Sequence, residues 1–391
     1  MPLPRWMNRD VLLISFSAFF ADLGYQAVQA LFPIYLVLTL SSNALLFGVA
    51  NAVAFGGGAL LAYFAGLLGN THSRRLLAVV GSACMLLMPA VGLSINPLLA
   101  ILLFALGWWG RNFRVPPRRA MLADSSRTND LGKSFGFLHA LDIGGGMFAV
   151  IWLLLALGSG MSQENAFLLT AIPITVSTLL LVATRDIRKR RRSATARETG
   201  SARFRINRST YRGVIIATAL YGFSYYSLGF PILTIAQSSS NILLGIGSYA
   251  VYLGVSAFTG YFIGSRKRLN RIKALGYLGY ILSGAGTGLL ALGYALHSTF
   301  LLYYIGVALM GFGLGVVETI EPVLIALVRG AVKLDTGMGA LQGSRSFGLF
   351  FANLIMGVLY LVSPTDSYLY ATVVSVAAGV IVLAAGRGFG G

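Results

Sequence analysis

The sequence is short of everything that builds a secreted, metal-binding or nucleotide-driven protein. It holds one cysteine, Cys84, in 391 residues. A single thiol excludes an intramolecular disulfide and any multi-cysteine metal site. Histidine is rare, with three copies, and His, Asp and Glu form no cluster at metal-ligand spacing, so neither a metal nor a cofactor is expected. Acidic residues number 12 against 30 Lys and Arg, and charged residues make up only 11% of the chain. There is no GxxxxGK loop followed by Ser or Thr, which argues against nucleotide hydrolysis as an energy source. HExxH and GxSxG are missing too, and no enzymatic activity is expected.

What is present is hydrocarbon. Hydrophobic residues make up 56% of the chain and the mean hydropathy is +0.76, which excludes a soluble globular domain of this length. A bilayer core of about 30 Å needs roughly 20 apolar residues per helical crossing. Twelve such runs are predicted, at 11–38, 44–68, 75–95, 98–122, 133–157, 164–184, 211–236, 241–264, 272–296, 299–328, 336–362 and 367–386. The first is too long for a signal-peptide core and lacks a small-residue cleavage site, so it is expected to stay as the first span.

A net charge of +18 would suggest nucleic acid in a soluble chain, but its placement excludes that partner. Basic residues fall in the N-terminal tail (Arg5, Arg9), after span 2 (Arg74, Arg75), after span 4 (Arg111 to Lys133) and in the stretch from Arg185. They return after span 8 (Arg266 to Lys273), after span 10 (Arg329, Lys333) and in the tail (Arg387). The alternate connections at 41–43, 96–97, 158–163, 237–240, 297–298 and 363–366 have none. By the positive-inside rule both termini are expected to be cytoplasmic, in a multi-pass protein of the cytoplasmic membrane. Twenty-nine of the 30 basic residues fit this pattern; Arg345 falls in the middle of span 11, and Arg111 and Arg114 border on span 4.

Residues 1–184 are expected to form one six-helix bundle and 211–391 another, joined by a basic linker at 185–210. The linker carries RKRRR at 188–192 and is expected to lie near anionic lipid headgroups. Six plus six spans is the layout of transporters built from repeated bundles. FPIYL (32–36) echoes FPILT (230–234), and GFLHALDIGG (136–145) can be laid over GALQGSRSFG (339–348), which pairs Asp142 with Arg345. The predicted fold is an all-α membrane protein of twelve transmembrane helices in two pseudo-symmetric six-helix bundles.

Asp22 lies about eleven residues into span 1, roughly 16 Å deep at 1.5 Å per residue. Asp142, Glu318 and Arg345 fall at similar depth, and Glu321 one turn closer to the basic side. Charges at such depth cost several kcal/mol toward lipid, so they face the bundle interior or a water-filled cavity. One reading makes Asp22, Asp142, Glu318 or Glu321 a proton-coupling carboxylate, with His139 at i−3 from Asp142 able to share a proton. The other is a static ion pair, such as Arg345 with Glu318 or Glu321. Asp22, Gln26 and Gln29 share one helical face.

From Gly110 to Asp142 the chain reads GRNFRVPPRRAMLADSSRTNDLGKSFGFLHALD. This resembles the span 4–5 connection in a branch of the major facilitator superfamily, where a pattern close to GKGIRTAPRDALIADS is followed by RGxAFGxxRAxD. FFADLGYQAVQALFPIYL in span 1 is similar to the branch's FxTDxxxEMxxPxLPxYL, and VETIEPVLIAL in span 10 is similar to TEGVERALVAD through Glu318 and Glu321. The superfamily's GxLADRxGRR signature appears as GLLGNTHSRR (66–75). Gly66, Leu68, Arg74 and Arg75 match, while Asn70 stands where Asp is usual. The resemblance implies a cytoplasmic gate built from Gly66, Asn70, Arg74, Arg75, Arg114, Arg118 and Asp124, with Arg74 or Arg75 reaching Asp124 and a clamp weakened at Asn70. It also implies a central cavity lined by the first span of each triplet. The expected lining residues are Gln26, Gln29, Tyr221 and Tyr225, with Tyr252 and Gln342 from neighbouring spans.

The function these features imply is a monomeric secondary active transporter that exports a small organic solute by alternating access, coupled to protons. A second expectation is an uptake symporter or uniporter for an anionic metabolite, with Arg345 as the charge partner. A third is a non-transporting sensor or scaffold.

Overall fold

The computed structural model describes residues 6–69, 71–126, 131–185, 208–224, 228–265, 270–297, 300–329 and 334–386, and among them all regular structure is helical. The first half holds α1 (Arg9–Ile34), α2 (Ala44–Leu68), α3 (Arg74–Cys84), α4 (Pro97–Ser125), α5 (Leu131–Gly158), α6 (Gln163–Leu169) and α7 (Ala171–Val182). The second holds α8 (Arg208–Ser224), α9 (Gly229–Ser239), α10 (Ile242–Ser265), α11 (Arg271–Lys273), α12 (Leu282–Ala295), α13 (Phe300–Arg329), α14 (Leu334–Val362) and α15 (Pro364–Ala385). Together they supply twelve runs long and apolar enough to cross a membrane.

Several spans that read as continuous in sequence are interrupted, and proline explains two of the breaks. The third span leaves the α conformation at Met85 and finishes in tight turns at Met85–Leu87 and Pro89–Leu93. Pro89 has no N–H to give its preceding turn. The sixth span divides at Thr170 into α6 and α7. Pro173, just inside α7, cannot donate to the Leu169 carbonyl. The ninth widens through a π-helical stretch, Ala274–Ile281, between α11 and α12. The second half begins at Arg208, slightly before the expected boundary, and residues 186–207 of the linker lie outside the described residues.

The internal repeat is longer than FPI. Residues 32–34 and 41–46 read FPI and SSNALL, and residues 230–232 and 239–244 read FPI and SSNILL. Both segments end a first span and start a second. The chain turns through left-handed backbone at Ser41 and Ser240 (φ 52° and 50°). Asn43 then accepts from the Leu46 N–H at 2.8 Å, and Asn241 from the Leu243 N–H at 2.9 Å, as helix N-caps.

Within the first half, α1 packs on α5 and α7, and α4 packs on α2 and α3. Within the second, α8 packs on α14 and α15, and α13 on α10 and α12. The halves meet along α2 and α14, α5 and α10, and α1 and α9. Phe47 of α2 meets Phe230 of α9 with ring centres 5.0 Å apart. The α2–α14 crossing is set by glycine: a Cβ on Gly48 would stand 2.4 Å from the Asn353 carbonyl oxygen and 3.0 Å from the Gly357 Cα. Those are backbone atoms and cannot move aside, so only glycine allows this approach. These contacts run from mid-bundle toward the ends whose connections lack Lys and Arg. The other end is called here the basic side.

Gly48→Val is expected to cost about 1–3 kcal/mol, as overpacking does, and to lower the thermal midpoint of the purified protein. Gly66→Ala, where a Cβ meets nothing within 4 Å, is expected to stay within about 0.5 kcal/mol of wild type. Equal losses in both variants would contradict the packing role of Gly48.

Candidate functional site

Arg345 is not the only arginine inside the bundle. Helix α4 continues to Ser125, and its 29 residues carry Arg111, Arg114, Arg118 and Arg119. At 1.5 Å per residue it is about 43 Å long, so a stretch with the composition of a solvated connection is instead helix packed in the bundle. Each of these arginines has a different environment.

Arg114 is 1% exposed. It donates to the Ser177 hydroxyl at 3.0 Å, to the Ser82 hydroxyl at 3.3 Å and to the Ser17 carbonyl at 3.1 Å. It thereby ties α4 to α3, α7 and α1. All these partners are in the first half, so Arg114, expected in the cytoplasmic gate, staples this bundle internally. Arg118, also buried, faces Asp142 of α5, with nitrogen–oxygen distances of 3.5 and 3.4 Å. Arg74 pairs with Asp124, joining the start of α3 to the end of α4. Arg75 turns elsewhere and donates to the Thr184 carbonyl at 3.3 Å, while Arg9 donates to the Ala183 carbonyl at 3.3 Å. Two arginines thus cover the carbonyl end of α7, where the helix dipole favours positive charge. Gly66 is exposed with no neighbour at its Cα, and Asn70 lies outside the described residues.

In the second half Arg345 is held by Glu318 and Glu321 of α13, one carboxylate on each terminal nitrogen. Glu321 is fully buried and also accepts from the Thr218 hydroxyl at 3.0 Å and the Tyr280 hydroxyl at 2.5 Å. The Glu318 side chain is 44% exposed. Arg345 is therefore engaged by its neighbours, and the solute-anion role expected for it does not fit this geometry. Tyr221, expected to line the cavity, packs inward instead. It is 1% exposed, its hydroxyl lies 3.1 Å from that of Ser283, and its ring centre is 4.9 Å from that of Tyr280. Helical spacing places Thr218 and Tyr221 on one face of α8 but does not say which neighbour that face meets.

The Arg118–Asp142 and Glu321–Arg345 pairs are both 24 residues apart in sequence. The register that lays Asp142 over Arg345 therefore also lays Arg118 over Glu321. Each half carries an ion pair between its fourth and fifth spans, partly buried in the first and buried at Glu321 and Arg345 in the second, at equivalent positions and with opposite polarity.

Asp22 is 8% exposed and lies against Gly145 of α5. Its charged neighbours are Asp142, Arg111, Arg118 and Arg114. Among the described residues it makes no ion pair or hydrogen bond. Gln26, one turn on, accepts a hydrogen bond of 2.5 Å from Tyr249 of the other half, and Tyr249 stacks on the buried Tyr252. Gln29 is half-buried on the same face. Tyr225 and the side chains of His139 and Gln342 lie outside the described residues. Among the described residues no group of acids, histidines and cysteine is arranged to hold a metal. An apolar crevice of about 340 Å³ between α1, α5 and the α6–α7 break is lined by residues such as Phe19, Phe148 and Trp152. None of its lining residues is charged.

Removing one member of a buried ion pair costs about 3–5 kcal/mol, because the other charge is left without a partner. Arg345→Gln is therefore expected to destabilise the purified protein strongly, and the double variant with Glu321→Gln to recover much of the loss in thermal unfolding. Additive losses would show that the two side chains do not act as a pair.

The sequence profile of the Major Facilitator Superfamily matches residues 14–351. A curated relative, the MFS-type transporter MJ1317 of Methanocaldococcus jannaschii, is 22% identical over 97% of this chain and 95% of its own. Among solved structures, a POT family transporter bound to a thioalcohol-conjugated peptide aligns over 96% of each chain at 12% identity and a TM-score of 0.76. The inward-open xylose transporter XylE from E. coli aligns over 95% of each chain at 13% identity and a TM-score of 0.71. An inward-facing, occupied bacterial homologue of the human lysosomal transporter Spinster aligns over 99% of this chain and 98% of its own, at 15% identity and a TM-score of 0.70. Twelve candidate membrane spans, two bundles with charge-inverted ion pairs and a profile covering most of the sequence lead to one conclusion: this chain is a multi-pass membrane protein of the Major Facilitator Superfamily of transporters.

Proposed function

We propose that the protein is a proton-coupled secondary transporter for a small organic solute, working by alternating access, with Asp22 as the coupling carboxylate. The observation that carries this is the isolation of Asp22. Asp142, Asp124, Glu318 and Glu321 each face an arginine partner. Asp22 is more buried than all of these but Glu321, yet among the described residues it has charges around it and no partner of its own. A carboxylate in that position changes protonation when the field of its neighbours changes, and movement of the halves or arrival of a solute changes that field.

The packing of the halves supports a state open on the basic side, taken by the positive-inside rule as the cytoplasmic face. The contacts between the halves named above lie away from that face, and inward-open and inward-facing transporters are among the structural relatives. Closure of the basic side brings equivalent positions of the two halves toward each other. Because the ion pairs are inverted copies, Arg118 then approaches Glu321 and Asp142 approaches Arg345, so every approach is attractive.

Reconstitution into liposomes with an internal pH indicator, followed by addition of organic acids, amines and sugars in turn, tests this reading and also reads the direction of flux. At least one class is expected to drive proton movement that Asp22→Asn abolishes while the variant still binds the solute. Undiminished proton movement in Asp22→Asn, or solute flux insensitive to collapse of the gradient, would overturn it.

A further inference from the structure

Arg111 is an arginine the sequence reading left among the topological charges, and it occupies the centre of the molecule. It lies 14 residues from either end of α4, whose bounds are Pro97–Ser125. At 1.5 Å per residue that is about 21 Å from each end. Unlike Arg118 and Arg345 it has no carboxylate within ion-pair distance among the described residues. Unlike Arg114 it is not fully enclosed, being half-buried.

Its surroundings hold it in place without neutralising it. The guanidinium carbon stands 5.1 Å from the centre of the Tyr25 ring and 5.2 Å from that of Trp108. One terminal nitrogen donates to the Tyr25 hydroxyl at 3.1 Å. Aromatic faces attract a cation but carry no net charge. A guanidinium has five N–H donors, and one hydrogen bond to a phenol uses one of them. The rest of a planar, bidentate donor set remains, fixed by two rings at mid-depth in the bundle. The Gln26 amide lies 3.4 Å from the same Tyr25 hydroxyl and itself accepts from Tyr249 of the other half. Arg111 is thus connected, through Tyr25 and Gln26, to the contact between the halves.

Among the described residues, Asp22 and Asp142 are acids whose charge bears on Arg111. Asp142 is committed to Arg118, Arg114 is enclosed and held by hydroxyls and a carbonyl, and Asp22 is more enclosed than Arg111. The more accessible charge at the centre is therefore positive.

We propose that Arg111 is the anion-recognition residue of this transporter, and that its solutes are small organic carboxylates held at the guanidinium between Tyr25 and Trp108. This names the solute class for the transport reading and rests on it. The fork geometry of guanidinium and carboxylate favours such a partner. Of the two expectations for an anionic solute, the charge partner moves from Arg345, which two glutamates occupy, to Arg111, which no acid occupies. An anion at Arg111 also shares that cation's field with Asp22, so its arrival and departure bear directly on the coupling carboxylate.

Equilibrium binding to the full-length protein in detergent micelles, measured by thermal shift, tests the assignment without any gradient. The probes are benzoate, hexanoate and succinate, with benzylamine and benzamide as matched cationic and neutral forms. At least one carboxylate is expected to stabilise the wild type, and neither control is. Arg111→Gln is expected to weaken that binding about tenfold or more, as loss of a charge-assisted contact does. Arg111→Lys keeps the charge without the fork and is expected to fall between, and it serves as the readout should Arg111→Gln not fold. Stabilisation by benzylamine, carboxylate binding unchanged in both variants, or no response to any of the three acids would overturn the proposal. Carboxylate binding without proton-driven flux would uphold it and refute the coupling role of Asp22. Proton-driven flux of an amine or a sugar would do the reverse.

Discussion

A charge inside a bilayer-spanning bundle has to be compensated, by an opposite charge, by hydrogen bonds or by water, and the rest of this structure is arranged around where those compensations are made. Arg345 is enclosed by Glu318 and Glu321, and Arg118 by Asp142. Both closures lie between the fourth and fifth spans of a half. Had the two halves carried the same polarity, bringing them together would set arginine against arginine and carboxylate against carboxylate. At the low dielectric of the interior such contacts are prohibitive. The inversion removes that barrier at no net change in charge. A buried ion pair is weak evidence for stability taken alone; here its placement in two inverted copies gives it a conformational meaning.

Arg114 is held by hydroxyls and a carbonyl, and the two remaining central charges are Asp22 and Arg111, on adjacent helices of the first half. Neither has an ion-pair partner among the described residues. One is enclosed and the other reached through a half-buried edge beside Gln26. The same hydrogen-bonded chain, Arg111 to Tyr25, Gln26 and Tyr249, runs from this pair to the contact between halves. The coupling proposed for this protein would thus have a short physical path. On the side away from the basic connections, glycine at the α2–α14 crossing and the Phe47–Phe230 contact hold the halves together without any charge.

The twelve spans were legible because roughly 20 apolar residues in a row have few other uses. The breaks at Met85 and Thr170 were not, since a hydropathy run shows how apolar a stretch is and not whether its helix is continuous. Arg345 stood out, and its partnership with Glu318 and Glu321 was one of the two readings the residues allowed. Arg118 was singled out as a gate residue through the resemblance, but its pairing with Asp142 was hidden by composition: four arginines within nine residues look like a solvated connection, though the register that paired Asp142 with Arg345 already placed Arg118 over Glu321. Arg111 was hidden for the same reason, and only the rings of Tyr25 and Trp108 distinguish it from its neighbours. Tyr221 failed for a different cause. Spacing fixes which residues share a face of α8, while tertiary packing decides that this face meets Tyr280.

The central claim, that the two ion pairs are inverted so that the halves can close on each other, is tested most directly by reversing one of them. Arg118→Glu combined with Asp142→Arg keeps an ion pair inside the first half but gives both halves the same polarity. Distances across the basic mouth, read by spin labels on the two halves in liposomes, then report closure. The account predicts a folded protein of near wild-type thermal stability that stays open on the basic side. A closed population equal to that of the wild type would contradict it.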